Sequence, residues 1–235
     1  MNLFYSPHID INKKRITLED QENRHLVKVL RKTKGDLVKV TDGNGNVYDC
    51  NIIEINKNIT KLNINNSKQI KSINPSLKIG ISLTKKTERF EWFLEKVTEL
   101  GVAEITPIIS QHSEKTNLNI NRSNKIMISA MKQSLRFHLP RLNNPINFTQ
   151  FIEVNNNNKN NYIAICKNDN LKLFQNIIMK SQDVNILIGP EGGFSEFEID
   201  LAKKANFTPV SLGENRLRTE TAGLASCMIF SFINN

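Results

Sequence analysis

The chain of 235 residues contains 39% hydrophobic and 23% charged residues, a composition that supports one or two folded domains and excludes wholesale disorder. Its 32 basic and 23 acidic residues leave a net charge of +9, which favours a polyanionic partner. No window approaches the roughly 18 continuous apolar residues of a membrane span, and the first residues lack the pattern of a signal peptide. We therefore predict a cytoplasmic protein with no membrane partner.

Three cysteines, Cys50, Cys166 and Cys227, lie far apart in the chain. They form no C-x-x-C pair and have no histidine pair nearby, so the sequence predicts neither a disulfide framework nor a metal site. We expect all three as small buried hydrophobic residues.

A basic cluster near the amino terminus predicts a surface that faces phosphate groups. Six basic residues there accompany a single acidic one: Arg24, Lys28, Arg31, Lys32, Lys34 and Lys39. We place the first of these basic residues on a helix, because Thr17 and Asp20 have the spacing of a capping box at its start. Leu26, Val29 and Leu30 have the spacing of its buried face.

Short strands joined by tight turns follow this helix. Apolar alternation predicts strands at residues 37–40, 47–55 and 59–64, and this pattern is typical of a small β-barrel. Residues 65–75 are polar and predict a linker. We therefore predict a barrel domain over residues 1–70.

From residue 77 onward, apolar strands alternate with helices, which is typical of an α/β domain with a mainly parallel sheet. We predict strands at residues 77–83, 103–109, 162–166, 184–188 and 208–212. One helix is expected to end at Gly101, where a left-handed residue can close the last turn, and a second to span residues 123–137. The predicted domain covers residues 76–235.

The strongest local motif is a buried strand followed by a glycine-rich bend and a helix start, at residues 186–199. Ser195 and Glu198 form a capping box, so the helix should begin at Ser195. The bend matches neither the phosphate-binding loop nor the dinucleotide-binding glycine pattern. From these residues alone, an ordinary strand-to-helix turn and a ligand site are equally good interpretations.

A second polar bend at residues 213–218 lies between a strand and a helix that opens at Thr219. The carboxyl ends of neighbouring strands in an α/β sheet can line one crevice. Arg216 and Arg218 lie in this bend, where a guanidinium could bind a carboxylate, a phosphate or a polarised base oxygen. Both could equally be surface charges.

Taken together, these segments resemble the RsmE family of the SPOUT superfamily of knotted methyltransferases. The match includes GPEGGFS at residues 189–195 and, about twenty residues later, LG at 212–213 and LRTETA at 217–222. Three further segments agree with the family in order: HLVKVLR at residues 25–31, KVTELGV at 96–102 and QSLR at 133–136.

The resemblance implies an α/β protein with a PUA-like barrel ahead of a SPOUT methyltransferase domain that contains a trefoil knot. It implies a homodimeric enzyme that transfers a methyl group from S-adenosylmethionine to N3 of a uridine in 16S ribosomal RNA of the small ribosomal subunit. From the cysteine spacing described above, we expect no metal.

The chemistry of that reaction, the family's three cofactor loops and the basic cluster together assign residues to roles. Arg218 is the first candidate for stabilising charge on the uracil, Arg216 is the second, and Glu220 is a candidate acceptor of the N3 proton. The expected cofactor-binding residues lie in three loops: Ile165, Cys166, Ile188, Gly189, Pro190, Glu191, Gly192, Gly193, Ser211, Leu212, Gly213, Asn215, Arg216, Leu217 and Arg218. The expected RNA-binding residues are basic or aromatic: Arg24, His25, Lys28, Arg31, Lys32 and Arg136.

Two other functions are compatible with parts of the pattern. A ribose 2′-O-methyltransferase of the same superfamily would share the knot but act on a different atom. A non-catalytic RNA-binding protein would explain the basic barrel and would leave both bends without a function.

Overall fold

The computed structural model describes residues 3–72, 74–155, 158–166 and 171–234. These residues form two compact units. The barrel unit consists of residues 3–72 together with Ile128–Leu139, and the α/β unit consists of residues 74–127 and 140–234. The predicted domain boundaries of 1–70 and 76–235 did not anticipate that a later segment joins the first unit, and they stay a prediction.

The barrel unit is built on a curled six-stranded sheet. Its strands are β1 (Leu3–Tyr5), β2 (Ile9–Asp10), β3 (Arg15–Glu19), β4 (Leu37–Thr41), β5 (Asn46–Ile55) and β6 (Ile59–Gln69). They are ordered β1-β4-β5-β6-β3-β2, and only the β1–β4 pair is parallel. Alternate residues of these strands bury an apolar core that includes Phe4, Leu18, Val40 and Leu62.

The predicted linker is wrong in its first part, because β6 continues to Gln69. Residues 66–69 pair with Asn46–Asp49 of β5. Their side chains are exposed, so the strand lacks the apolar alternation on which the sequence prediction depended. A long partner strand supplies the hydrogen bonds that extend it.

The predicted capping box at Thr17 is also wrong. Thr17 lies inside β3, and helix α1 (Asp20–Arg24) begins after Glu19, which makes no side-chain capping bond. A π-helical turn, His25–Val29, follows at once.

This π-helical turn changes which apolar side chains are buried. Its wider hydrogen-bond spacing, with Leu30 N donating to His25 O, breaks the 3.6-residue periodicity used for the prediction. Val29 is therefore 64% exposed, whereas Val27 and Leu30 pack against the core.

The α/β unit is built on a parallel sheet, as predicted. Its strands are β7 (Leu77–Ser82), β8 (Glu104–Ile109), β9 (Arg141–Leu142), β10 (Ile146–Asn147), β11 (Asn161–Ala164), β12 (Val184–Ile188) and β13 (Phe207–Val210). The order is β10-β8-β7-β12-β11-β13, with β9 also paired to β8. The five predicted strands are confirmed to within two residues at each end.

The remaining helices are α2 (Thr87–Leu100), α3 (Ile120–Gln133), α4 (Phe148–Asn155), α5 (Phe174–Ile177), α6 (Glu196–Lys204) and α7 (Thr219–Asn234). Helix α2 ends as predicted at Gly101, which has a φ of 84°. Helix α3 begins and ends earlier than the predicted 123–137, because Asn119 Oδ1 accepts a bond from Arg122 N and Leu135 adopts a left-handed φ of 53°.

The second half of α3 belongs to the barrel unit. Lys132 forms an ion pair with Glu22, whose other carboxylate oxygen accepts a bond from Tyr5 N at 3.2 Å. Beyond the helix, Phe137 O accepts a bond from Gly45 N at 2.8 Å. This unit is therefore assembled from two separate stretches of sequence.

Within the described ranges, no helix combines the length and the apolar character needed to cross a membrane.

Candidate functional site

Three chain segments meet where β11, β12 and β13 end. Because Ala164 is paired with both Ile188 and Val210, these parallel strands finish at the same level. We call residues 189–195 the glycine bend and residues 211–218 the arginine bend. The third segment, residues 165–166, follows β11.

The three segments surround a cavity of about 770 Å³. Among the predicted cofactor-binding residues, Arg218 alone does not line it; those that do are Ile165, Cys166, Ile188, Gly189, Pro190, Glu191, Gly192, Gly193, Ser211, Leu212, Gly213, Asn215, Arg216 and Leu217. The prediction omitted eight lining residues: Ala164, Leu171, Leu173, Phe194, Ile199, Glu214, Thr219 and Ala222. Leu171 and Leu173 carry no local sequence signal, whereas Thr219 and Ala222 belong to the recognised LRTETA segment.

Local hydrogen bonds fix the glycine bend. Gly193 has a φ of 75°, and its N–H donates to Pro190 O at 2.9 Å. The predicted capping box is confirmed: Ser195 Oγ accepts from Glu198 N at 3.3 Å, and Glu198 Oε2 accepts from Ser195 N at 2.9 Å. Helix α6 therefore begins directly after the bend, as the sequence predicted.

Glu191 connects the glycine bend to two other segments. Its Oε1 accepts a bond from Lys85 N, in the loop after β7, at 3.2 Å. Its main-chain carbonyl accepts a bond from Arg216 Nη2 of the arginine bend. Arg216 thus links the glycine bend and the arginine bend through a main-chain contact, and its other N–H groups bond to none of the described residues.

The arginine bend has its own turn and a second link to the glycine bend. Gly213 has a φ of 142°, its N–H donates to Ser211 Oγ at 3.2 Å, and its carbonyl accepts from the same hydroxyl at 2.8 Å. The buried Thr219, at the start of α7, donates through Oγ1 to Gly189 O at 2.9 Å. Thr219 therefore holds the beginning of α7 against the start of the glycine bend.

Arg218 differs from Arg216 in its surroundings. Its side chain is exposed and forms no hydrogen bond or ion pair with any part of the chain that the structure describes. The guanidinium is free to meet a ligand beside the cavity.

Glu220 is a buried carboxylate and does not line the cavity. Glu220 is 6% exposed, and its Oε1 lies 3.7 Å from Arg89 Nε of α2. Its Oε2 is buried and has no hydrogen-bond partner among the described residues. A buried carboxyl oxygen without a donor is energetically costly, so this atom has unused capacity to accept a hydrogen bond.

Cys166 departs from the expectation that all three cysteines are buried. It is exposed and lines the cavity, because it lies just beyond the end of β11, whereas Cys50 and Cys227 are buried inside their units. Burial raises the pKa of the Cys50 thiol to about 12. Among the described residues, no group of three or more His, Cys, Asp or Glu side chains could hold a metal ion.

All six predicted RNA-binding residues lie in the barrel unit. Four are exposed on or just after α1 and the π-helical turn: Arg24, His25, Lys28 and Arg31. The half-buried Lys32 has its Nζ 3.9 Å from Asp36 Oδ2, and Arg136 is half-buried beyond the end of α3. The structure brings these six residues into one unit, although Arg136 is more than a hundred residues from the others.

Comparison with known families identifies two matching domains. The RNA methyltransferase domain family matches residues 72–231, and the RNA methyltransferase PUA domain family matches residues 18–64. The first match covers more than half of the chain.

Individual relatives agree with these domain matches. Ribosomal RNA small subunit methyltransferase E of Buchnera aphidicola is 31% identical over 233 residues, which cover 95% of this chain and 90% of the relative. A probable rRNA-methyltransferase from Porphyromonas gingivalis has a similar structure, with a TM-score of 0.91, 37% identity and coverage of 100% of this chain and 98% of its own. The ribosomal RNA small subunit methyltransferase E of Neisseria gonorrhoeae, solved with S-adenosyl methionine, gives a TM-score of 0.88 at 27% identity, with 100% and 98% coverage.

Proposed function

Because this chain belongs to the ribosomal RNA small subunit methyltransferase E family, we propose that it methylates N3 of a uridine in 16S ribosomal RNA, with S-adenosylmethionine as the methyl donor. The observation that carries this proposal is the cavity at the ends of β11, β12 and β13, with the free guanidinium of Arg218 in the bend beside it.

The residues around the cavity fit S-adenosylmethionine. Apolar side chains such as Ile165, Ile188 and Leu217 suit the adenosine, and the glycine bend leaves main-chain groups accessible. The acidic Glu191 and Glu214 also line the cavity, which suits a ligand that carries a sulfonium and an ammonium group. A Cβ added to Gly193 would meet no heavy atom within 4 Å, so there is open space beside the bend.

S-adenosylmethionine, when bound, supplies an electrophilic methyl group on its sulfonium. The chain's own task is to align uracil N3 with that carbon and to stabilise the charge that develops on the base. Loss of the N3 proton places negative charge on O2 and O4. We assign stabilisation of that charge to Arg218, because its guanidinium is exposed and contacts no charged or hydrogen-bonding partner among the described residues.

Arg216 and Glu220 remain secondary candidates. Arg216 already donates to Glu191 O, so we give it mainly the role of holding the two bends together. Glu220 is proposed as the final acceptor of the proton, through its free Oε2. Because that atom is buried outside the cavity, the proton would reach it through a water molecule or a movement of the start of α7.

The barrel unit is proposed to hold the RNA around the target base. Its exposed Arg24, Lys28 and Arg31 suit phosphate groups, and His25 can stack or hydrogen-bond. The uracil must be unpaired or flipped out of a helix, because N3 is hidden by base pairing.

We also propose a homodimer in the cytoplasm, where ribosomal subunits are assembled. Light scattering at micromolar concentration would give the mass of two chains, and a mass near one chain would contradict the dimer.

The decisive experiment gives the purified protein labelled S-adenosylmethionine with small ribosomal subunits and, separately, with naked 16S RNA. Nuclease digestion and mass spectrometry should identify N3-methyluridine. A methyl group on the ribose would instead support a 2′-O-methyltransferase. Failure of the protein to bind S-adenosylmethionine would support a non-catalytic RNA-binding role.

A further inference from the structure

The buried Glu198 accepts more hydrogen bonds than its helix cap requires. Glu198 is 5% exposed. Its Oε2 accepts hydrogen bonds from Ser195 N at 2.9 Å and from Ser195 Oγ at 3.1 Å. These contacts belong to the capping box of α6. In addition, Oε1 accepts from Gln111 N at 2.8 Å, although Gln111 lies 87 positions earlier. The third bond ties the start of α6 to the loop after β8, and helix formation alone does not account for it.

That loop, Ser110–Ser113, is itself firmly anchored. Ser110 N donates to Ser113 Oγ at 3.0 Å, and Ser113 N donates to Ser110 O at the same distance. The buried Ser82 hydroxyl, on the last residue of β7, lies 3.3 Å from the Ser110 hydroxyl. The loop therefore provides a fixed support attached to the centre of the parallel sheet.

His112 of this loop contacts two of the glycines that line the cavity, Gly192 and Gly193. Its Nδ1 donates to Gly193 O at 3.0 Å. A Cβ added to Gly192 would lie 3.0 Å from His112 Cβ, so the histidine packs directly against that glycine's main chain. Neither His112 nor Glu198 lines the cavity. They contact the glycine bend and the helix start after it from outside.

From these contacts we propose that Glu198 and His112 are positioning residues for methyl transfer, a role that depends on the proposed function of the cavity. Glu198 holds the Ser110–Ser113 loop against the start of α6, and His112 of that loop fixes the main chain of Gly192 and Gly193. The carboxylate makes charge-assisted bonds, which are stronger than bonds between neutral groups. The two residues thereby set the shape of the cofactor-facing wall without touching the cofactor.

The first test compares three variants of α6 and its cap. Glu198→Gln places an amide N–H₂ against a main-chain N–H. One hydrogen bond is lost there, and two donors face each other. It should raise the KM for S-adenosylmethionine about tenfold or more, as expected for a hydrogen bond to a charged group, and change kcat less than threefold. Ser195→Ala removes the two bonds of Ser195 Oγ and keeps the bond from Gln111 N to Glu198 Oε1, so it should lower Tm and raise the KM less than Glu198→Gln does. Asp200→Asn breaks an exposed ion pair with Lys203 on the same helix and should change neither.

The second test uses the histidine and does not depend on the helix cap. His112→Ala removes the donor to Gly193 O and should raise the KM for S-adenosylmethionine severalfold. His112→Asn keeps a side-chain N–H donor and should restore part of the affinity. This pair keeps the proposal testable if Glu198→Gln fails to fold.

Two results would overturn the proposal: equal KM values for Glu198→Gln and Ser195→Ala, or an unchanged KM in His112→Ala. A wild-type protein that fails to bind S-adenosylmethionine in calorimetry would instead overturn the proposed function. The two failures are therefore distinguishable.

Discussion

The glycine bend and the arginine bend line the same cavity but are held in different ways. The glycine bend is supported from outside by His112 and is followed directly by the capped start of α6. The arginine bend is exposed over residues 213–216, and it is tied to the glycine bend by Arg216 and Thr219 at its carboxyl-terminal end. The glycine bend is therefore built to keep one shape, whereas the arginine bend presents the exposed guanidinium of Arg218. We infer that the glycine bend serves the cofactor, and that the arginine bend serves the cofactor through its lining residues and the base through Arg218.

The largest expected effect comes from adding a side chain to the glycine bend. Gly193→Val should weaken S-adenosylmethionine binding roughly a hundredfold or more, because the residue lines the cavity and has a φ of 75°. The strain of a left-handed valine costs about 1–3 kcal/mol, which the fold should tolerate. Calorimetry measures the affinity.

Gly35→Val is the matched control for this variant. Gly35 has a φ of 94° and the same open surroundings, but it lies in the barrel unit. Both variants should lower Tm by similar amounts, and only Gly193→Val should lose the cofactor. Equal affinities in the two variants would remove the glycine bend from the site.

The next largest effect is expected on catalysis, from Arg218 of the arginine bend. Arg218→Ala should lower kcat roughly a hundredfold while the affinity for S-adenosylmethionine changes little, because the charge it stabilises develops during the reaction. Arg218→Lys keeps the charge and loses the planar fork, so partial rescue would indicate charge and no rescue would indicate geometry.

Arg216→Ala provides the contrast within the same bend. It removes the bond to Glu191 O and should weaken cofactor binding more than turnover. Normal single-turnover rates in Arg218→Ala at saturating RNA and cofactor would show that Arg218 contributes to binding or to structure. They would contradict a role in stabilising charge on the reacting base.

Thiol labelling offers a smaller effect that reports on the third segment of the cavity. Cys166 is exposed there, so a maleimide should label it first. Cys50 should react slowly, since it is buried and its pKa of about 12 leaves little thiolate at pH 8. Saturating S-adenosylmethionine should slow labelling of Cys166 about tenfold, measured by intact mass. Labelling at the same rate with and without cofactor would place the ligand elsewhere.

The smallest effect is expected from a residue of the barrel unit. Arg31→Ala should weaken RNA binding severalfold and reduce the salt dependence by about one counterion, with saturated turnover nearly intact. Arg31 has a left-handed φ of 52°, so Arg31→Gly removes the same charge and also relieves strain. Agreement between the two variants would assign the effect to charge. A loss of kcat in either would contradict a role limited to RNA binding.

The two bends also differ from the barrel in how well the sequence predicts them. The start of α6 and the end of α2 were predicted correctly, because Ser195 and Gly101 are local signals that act within one helical turn. The motif residues of the two bends identified most of the cavity lining for the same reason.

Features that depend on distant contacts were not predicted. The π-helical turn shifted burial from Val29 to Val27, which a fixed helical period cannot represent. The polar end of β6 exists because β5 pairs with it. The roles of Gln111 and His112 arise from contacts more than eighty residues apart, so no local pattern revealed them.

The barrel unit has a consequence for protein synthesis, because it is closed by a segment made much later. Phe137 O accepts a bond from Gly45 N, Leu139 N donates to Gly43 O, and Lys132 pairs with Glu22. During synthesis on the ribosome, the six strands therefore lack these hydrogen bonds and this ion pair until more than half of the protein has been made. A gene fragment that ends at Ser72 would encode the six strands and still lack the segment that completes them.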